Sequence, residues 1–293
     1  MRVSKYLNLV EQLPAVGAVF PALRASARAT KFALEHEIAF RKWVWSVRAA
    51  PSVSITRHEK CVAIIPSYNA KRTRNLEPLV RSFLHCNFIS KMIVSNHNPA
   101  LRVQDWVQTN DSRLVLINQP ARRGHGYAFE LARAESCDYF IVLDDDFLIA
   151  PKQIATLFEH LLDEPQIPHG LAGILGSKLF SSIESEVDCL FHVFAGTRAH
   201  ALAYLDYAER LAQLGEVRLN EIEYFADDIV YSRVGPTKAK IHAVGALLRC
   251  KTSAQADIAF HMSPGFWEPR NRVTTELEKL LVHARAYQVQ AQK

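Results

Sequence analysis

Three consecutive carboxylates, Asp144-Asp145-Asp146, directly follow the apolar run Tyr139-Phe140-Ile141-Val142-Leu143. Such a run reads as a buried parallel strand, and the carboxyl edge of a parallel sheet is where open α/β folds bind ligands. Adjacent negative charges repel one another there, so a hard divalent cation, and through it a diphosphate, is the expected compensation. The plainer alternative is a solvated acidic turn.

Three more polar clusters fall where strands are expected to end: Pro66-Ser67-Tyr68-Asn69, Asn96-His97-Asn98, and Arg122-Arg123-Gly124-His125-Gly126 ahead of a helix. A glycine-bearing helix start beside two arginines suits phosphate. Tyr68 and Asn98 are candidates for nucleobase or ribose contacts, with packing as the alternative for Tyr68. Asp227-Asp228 opens another helical segment, where two acids also serve as N-terminal caps. Arg270 and Arg272 share a late loop, "FHMSPGFWEPRNR", from which they could reach a leaving diphosphate or stay solvated.

The elements that must position these groups alternate in type. Strands are expected at Cys61 to Pro66, Lys91 to Ser95, Arg113 to Ile117, Asp138 to Leu143, Leu171 to Gly176 and Leu190 to Ala195. Helices are expected over 74–86, 126–134, from Pro151 (buried face Ile154, Leu157, Phe158, Leu161, Leu162), over 199–214 and from Asp227. This alternation implies right-handed crossovers and a mostly parallel sheet. Pro51-Ser52-Val53-Ser54 marks the junction with a helical N-terminal region. The expected domains are therefore 1–55, basic and helical, and 56–293, catalytic.

Composition narrows the function. The chain has 293 residues, enough for one large α/β domain or two small ones, with 49% hydrophobic and 22% charged residues, which argues against disorder. Its formal charge of +5 sits in the first 50 residues, which hold eight of the 35 Lys/Arg and three of the 30 Asp/Glu. The remaining body is neutral, which speaks against nucleic acid as a partner. Five widely spaced cysteines without a CxxC pair indicate free thiols in a reducing, cytoplasmic setting. The most apolar early stretch, Leu13 to Leu23, is short and interrupted by Pro14 and Pro21, so no spanning segment is expected. Spaced apolar residues (Val3, Tyr6, Leu7, Val10), basic positions and Trp43/Trp45 suit either peripheral contact of residues 1–50 with the inner face of a membrane or packing on the protein itself.

The segments "CVAIIPSYNA", "QPARRGHGYAFELARAESCDYFIVLDDDFLI" and "EYFADDIVYS" together resemble nucleotide-sugar-dependent glycosyltransferases of the GT-A fold, over roughly residues 60–270. "PSYN" and "RRGHGYAFELA" are similar to the broad family-2 enzymes. The triple Asp, "IVSNHN" and "ADDI" are similar to exostosin-type, heparan-sulfate-related transferases, although Ala226-Asp227-Asp228 stands in place of their Cys-Glu-Asp triplet. The resemblance implies a Rossmann-like α/β domain that uses Mn2+ or Mg2+ and a nucleotide-sugar, UDP-linked foremost, to glycosylate a glycan or glycolipid acceptor, as a hexosyl- or N-acetylhexosaminyltransferase. It makes Asp144 the acid near the ribose and metal-bound water, Asp145 the acid facing the donor sugar, and Asp146 a direct metal ligand. His261 would be a further ligand, and Asp227 and Asp228 the acceptor-side pair. Pro66, Tyr68, Asn69, Asn96, Asn98, Arg122, Arg123, Arg270 and Arg272 would contact the donor. Two other classes stand beside this one: a sugar-phosphate nucleotidyltransferase, for which Lys71 lacks the accompanying glycines, and a non-catalytic carbohydrate-binding or scaffolding domain that leaves the acids idle.

Overall fold

The structure of the chain, a computed structural model, describes residues 14–175, 183–255 and 258–291. Val3, Tyr6, Leu7 and Val10 lie outside the described residues. The chain divides into two compact units, Met1–Trp45 and Ser46–Lys293. The described residues of the first belong to one helix, α1 (Pro14–Arg48), whose last three residues are counted with the second. Lys31 with Glu35 and Glu37 with Arg41 form pairs one turn apart along it, and Leu34, Ile38 and Trp45 are exposed. Among the described residues no helix is long and apolar enough to cross a membrane.

The second unit is built on an eight-stranded sheet whose strands lie side by side in the order Leu114–Asn118, Ile89–Asn96, Cys61–Ser67, Tyr139–Leu143, Val193–Thr197, His169–Gly170, Ala239–Ile241 and Ser185–Val187. Its first half is the alternating region: β1 (Cys61–Ser67), α2 (Leu76–Leu84), β2 (Ile89–Asn96), β3 (Leu114–Asn118), α3 (Tyr127–Ala134) and β4 (Tyr139–Leu143). These four strands are parallel throughout, and β1 is buried at every position because helices cover both faces. After β4 come β5 (Phe147–Leu148) and α4 (Pro151–Asp163). Pro151 occupies the first turn of α4, where a missing N–H costs nothing, and Gln153 accepts from the amide of Ala150.

The second half is more broken. It runs through β6 (His169–Gly170), β7 (Gly173–Ile174), β8 (Ser185–Val187), β9 (Cys189–Leu190), β10 (Val193–Thr197) and α5 (Arg198–Gln213). The chain then forms α6 (Leu219–Glu221), a π turn (Ile222–Ala226), α7 (Asp227–Tyr231), β11 (Ala239–Ile241), β12 (Leu248–Arg249) and α8 (Trp267–Ala291). Strand β10 runs antiparallel to both β4 and β6, and β8 antiparallel to β11, so the sheet is mixed but mostly parallel.

Two expected strands change. Only Gly173–Ile174 of the segment 171–176 pairs as a strand, with β9, and Gly176 lies outside the described residues. The expected strand Leu190 to Ala195 is split between β9 and β10 at His192, whose φ of 63° makes it the one non-glycine residue of positive φ among those described. That left-handed conformation is costly for a side chain and ends strand pairing. Its effect is to turn the His192 ring toward the end of β4.

Phe129 of α3 anchors the core beneath this edge. It stacks on Tyr231 with ring centroids 4.5 Å apart and meets Phe140, Phe194 and Tyr204 edge-on or tilted. The cluster joins α3, β4, β10, α5 and α7, and burying each such ring contributes about 1.5–3 kcal/mol. Phe129→Ala would open a cavity among all five elements, at a cost of about 3–5 kcal/mol.

Candidate functional site

The carboxyl ends of β1 and β4, the loop before α3, the turn before β10 and the start of α7 enclose one cavity of about 590 Å³. Pro66, Tyr68, Asn69, Arg122, Arg123, Asp144, Asp145, Asp146, Asp227, Asp228, His261 and Arg270 line it. The three remaining donor-contact candidates stand elsewhere. Asn96 is buried, its amide donating to the carbonyls of Asn98 and Leu101 and to Asn118. The side-chain amide of Asn98 donates to the Tyr68 carbonyl, which ties two strand ends together. Arg272 is paired with Glu221 and Glu268.

The acidic run is neither a solvated turn nor a set of bare charges. Asp145 and Asp146 are buried, and Arg72 forks over them, with Nη1 3.3 Å from Asp145 Oδ1 and Nη2 2.8 Å from Asp146 Oδ2. Asp145 also accepts from Ser67 Oγ at 2.8 Å, and its carbonyl accepts from Asn75. Burial, together with the neighbouring acids, pushes the Asp145 carboxyl up to about 6 despite Arg72. Asp144 stands between two imidazoles: His125 Nε2 lies 2.7 Å from Oδ1 and His192 Nδ1 2.8 Å from Oδ2. Burial opposes its charge, but His125 and His192 outweigh burial and hold its carboxyl well below the usual range. Sequence reasoning found neither Arg72 nor His192. The available signal for His192 was a lone histidine inside the apolar run "CLFHVFAG".

The donor set suits a cation. One ligand atom each from Asp144, Asp146 and His192 lies within 4.8 Å of the other two. Asp146 Oδ1 is buried without a hydrogen-bond partner, its nearest imidazole nitrogen being His192 Nδ1 at 3.8 Å. A buried carboxylate oxygen left unsatisfied is costly, and a metal ion would satisfy it. Two carboxylates and an imidazole fit Mn2+ well. His261 lines the same cavity but is not in this group; burial lowers its pKa, and it feels the charges of both His192 and Asp146.

The second acidic pair is held differently. Arg270 grips Asp228 with both prongs, Nη1 to Oδ1 at 2.7 Å and Nη2 to Oδ2 at 2.9 Å, and also donates to the Phe225 carbonyl. Arg270, expected to face a diphosphate, is thus committed to the acceptor-side acid. Asp227 accepts from His125 Nδ1 at 2.6 Å, yet burial raises its carboxyl above the usual range. On the opposite wall Arg122 sits 4.4 Å over the Tyr68 ring and Arg123 3.9 Å over Tyr127, a stacking favoured by the ring quadrupole. The Arg122-to-Gly126 loop is pressed on the π turn: Gly124 donates to the Glu223 carboxylate and Gly126 to the Glu223 carbonyl. A Cβ at Gly124 would fall 2.3 Å from the Glu223 carbonyl oxygen, and one at Gly126 2.3 Å from the Tyr204 hydroxyl, so both positions require glycine.

Residues 62–171 match the profile of Glycosyl transferase family 2. A solved structure, that of GalNAc-T7 with UDP, GalNAc and Mn2+, is 11% identical and superposes with a TM-score of 0.51 over 75% of this chain. The aligned region spans 48% of that chain, about half its length. CMP:2-keto-3-deoxy-manno-octonic acid synthetase complexed with CTP aligns over 53% of this chain and 84% of its own at 16% identity, with a TM-score of 0.36. No curated protein matches the chain in sequence.

Proposed function

We propose that the chain, whose residues 62–171 match the glycosyl transferase family 2 profile on a fold shared with a UDP-bound transferase, moves a sugar from a nucleoside-diphosphate donor, UDP-linked foremost, to a glycan or lipid-linked hydroxyl. The observation that carries the proposal is the unsatisfied Asp146 oxygen beside Asp144 and His192, in a cavity shared with Asp227 and Asp228. Asp144, Asp146 and His192 would hold Mn2+ or Mg2+, which supplies neutralisation of the diphosphate as its bond to the sugar breaks. His261, on the same cavity, is the candidate for a further ligand.

The chain's own residues do the rest. Arg122 and Tyr68 form a stacked pair suited to the nucleotide, and Asn69 and Pro66 shape the loop beneath it. Asp145 holds that loop to β4 through Ser67 and Arg72. The sugar's bond to the diphosphate oxygen breaks, the acceptor oxygen bonds to the sugar, and the hydroxyl proton passes to a carboxylate. Asp228, fixed by Arg270, has lone pairs left to orient that hydroxyl, and Asp227 beside it is the second candidate to take the proton. Incubation with Mn2+ and a panel of UDP- and GDP-sugars, followed by nucleotide release, tests the reaction. Absence of any donor binding by calorimetry would overturn it.

The exposed Leu34, Ile38 and Trp45 of α1, with Lys31, Arg41 and Lys42 nearby in sequence, support peripheral contact with an anionic membrane surface, in line with a cytoplasmic enzyme serving a lipid-linked acceptor. Liposome sedimentation with and without residues 1–50 tests this; unchanged sedimentation rejects it.

A further inference from the structure

The loop before α3 places one side chain between the two acidic groups. His125 is an imidazole with nitrogens on opposite edges: Nδ1 hydrogen-bonds Asp227 Oδ2 at 2.6 Å, and Nε2 lies 2.7 Å from Asp144 Oδ1, an ion-pair contact without hydrogen-bond alignment. Asp144 directly follows β4 in the parallel half of the sheet, whereas Asp227 begins α7 in the other half. A single rigid ring therefore sets the distance between the donor-side and acceptor-side carboxylates.

The ring cannot drift from this position. Its Gly124 and Gly126 neighbours are locked to Glu223 of the π turn, where added Cβ atoms would collide with backbone or with Tyr204. Arg123 pairs with Glu130 of α3 and Glu223 of the π turn, so the loop is fastened from both sides. Phe194 of β10 packs beside the imidazole, with centroids 5.5 Å apart. A π turn is uncommon and recurs at functional sites, and here it carries Asp227 directly after it.

We propose that His125 is the positioning residue that couples the two halves of the site, holding Asp227 in register with the donor-side acid Asp144. The inference rests on the sugar-transfer reading above. A merely space-filling histidine would affect stability alone. A coupling histidine makes its two nitrogens separable: His125→Gln extends an amide toward the Nε2 position and keeps the Asp144 contact, while His125→Asn keeps the Asp227 contact and loses Asp144.

The experiment compares wild type, His125→Gln, His125→Asn and His125→Phe by three measurements: calorimetry with Mn2+ and UDP, the split between kcat and KM for the donor that wild type uses, and thermal unfolding. His125→Gln is expected to hold UDP and Mn2+ within about 3-fold of wild type while kcat falls by about 100-fold. His125→Asn is expected to weaken UDP and Mn2+ binding by about 10-fold, and His125→Phe to lose both functions. Imidazole nitrogen spectra of the resting protein, which need no turnover, are expected to show the Nδ1 signal moving in Asp227→Asn and the Nε2 signal moving in Asp144→Asn. Identical kinetic behaviour of the Gln and Asn variants, full kcat in His125→Phe, or an Nε2 signal indifferent to Asp144→Asn would overturn the coupling role alone. A wild type that releases nucleotide from no donor overturns the transfer reading and the coupling role together.

Discussion

Asp146 and Asp228 are both buried aspartates that face the same cavity and are met by an arginine, yet they are left in opposite states. Arg270 satisfies both oxygens of Asp228, whereas Arg72 divides its prongs between Asp145 and Asp146 and leaves Asp146 Oδ1 without a hydrogen-bond partner. The donor-side acid is therefore open to a further cation and the acceptor-side acid is closed to one. Counting carboxylates does not reveal this difference. What decides it is how many oxygens each resident guanidinium can reach.

The strongest way to break the comparison is Arg270→Met, which leaves Asp228 buried without its counter-ion. Stability is expected to fall by about 3–5 kcal/mol in urea unfolding, with no recovery on adding Mn2+. Asp146→Ala is expected next: about a 100-fold loss of Mn2+-dependent UDP affinity by calorimetry, near 3 kcal/mol, because the unsatisfied oxygen is removed. Retained affinity would place the cation elsewhere in the cavity.

Arg72→Met should cost less, about 2 kcal/mol, since Asp145, already pushed up to about 6, can take a proton in place of its lost partner. Mn2+ is expected to restore part of that loss, which would separate the open acid from the closed one. Equal losses in the two arginine variants, with Mn2+ indifferent in both, would erase the distinction.

Per pH unit, the smallest effect is a background slope that has to be removed from any acid titration of the carboxylates. Burial, reinforced by His160 and His169, pushes His242 down to about 3 in the folded protein, below the ordinary 6.5 of the unfolded chain. The unfolded state therefore binds more protons between those values, so the stability present above pH 6.5 is lost as pH falls. His242→Gln is expected to flatten urea-unfolding stability against pH by up to about 1.4 kcal/mol per pH unit in that window. An unchanged slope would show that His242 is not buried as a neutral ring.

The parallel half of the sheet and the acidic groups at its edge were legible in the sequence. Strands β1 to β4 are short apolar runs ended by polar clusters, and local periodicity with turn chemistry reports such elements directly. The Asp144-to-Asp146 run, the Asp227-Asp228 pair and the arginine-glycine loop could be placed at element ends for the same reason. The second half was less readable, because β6, β7, β9 and β12 each have two residues, too few to show a period. The break at His192 depends on one left-handed residue that no apolar pattern announces.

Only the tertiary structure decided which cation meets which acid. Arg72 reaches Asp145 across 73 positions, Arg270 reaches Asp228 across 42, and His125 reaches Asp227 across 102. The sequence by itself determined that acids would stand at the carboxyl edge of a mostly parallel sheet, since strand ends are set by neighbours along the chain. Which carboxylate oxygen is left open depends on where distant loops converge, and such pairings form only when the sheet brings those loops together.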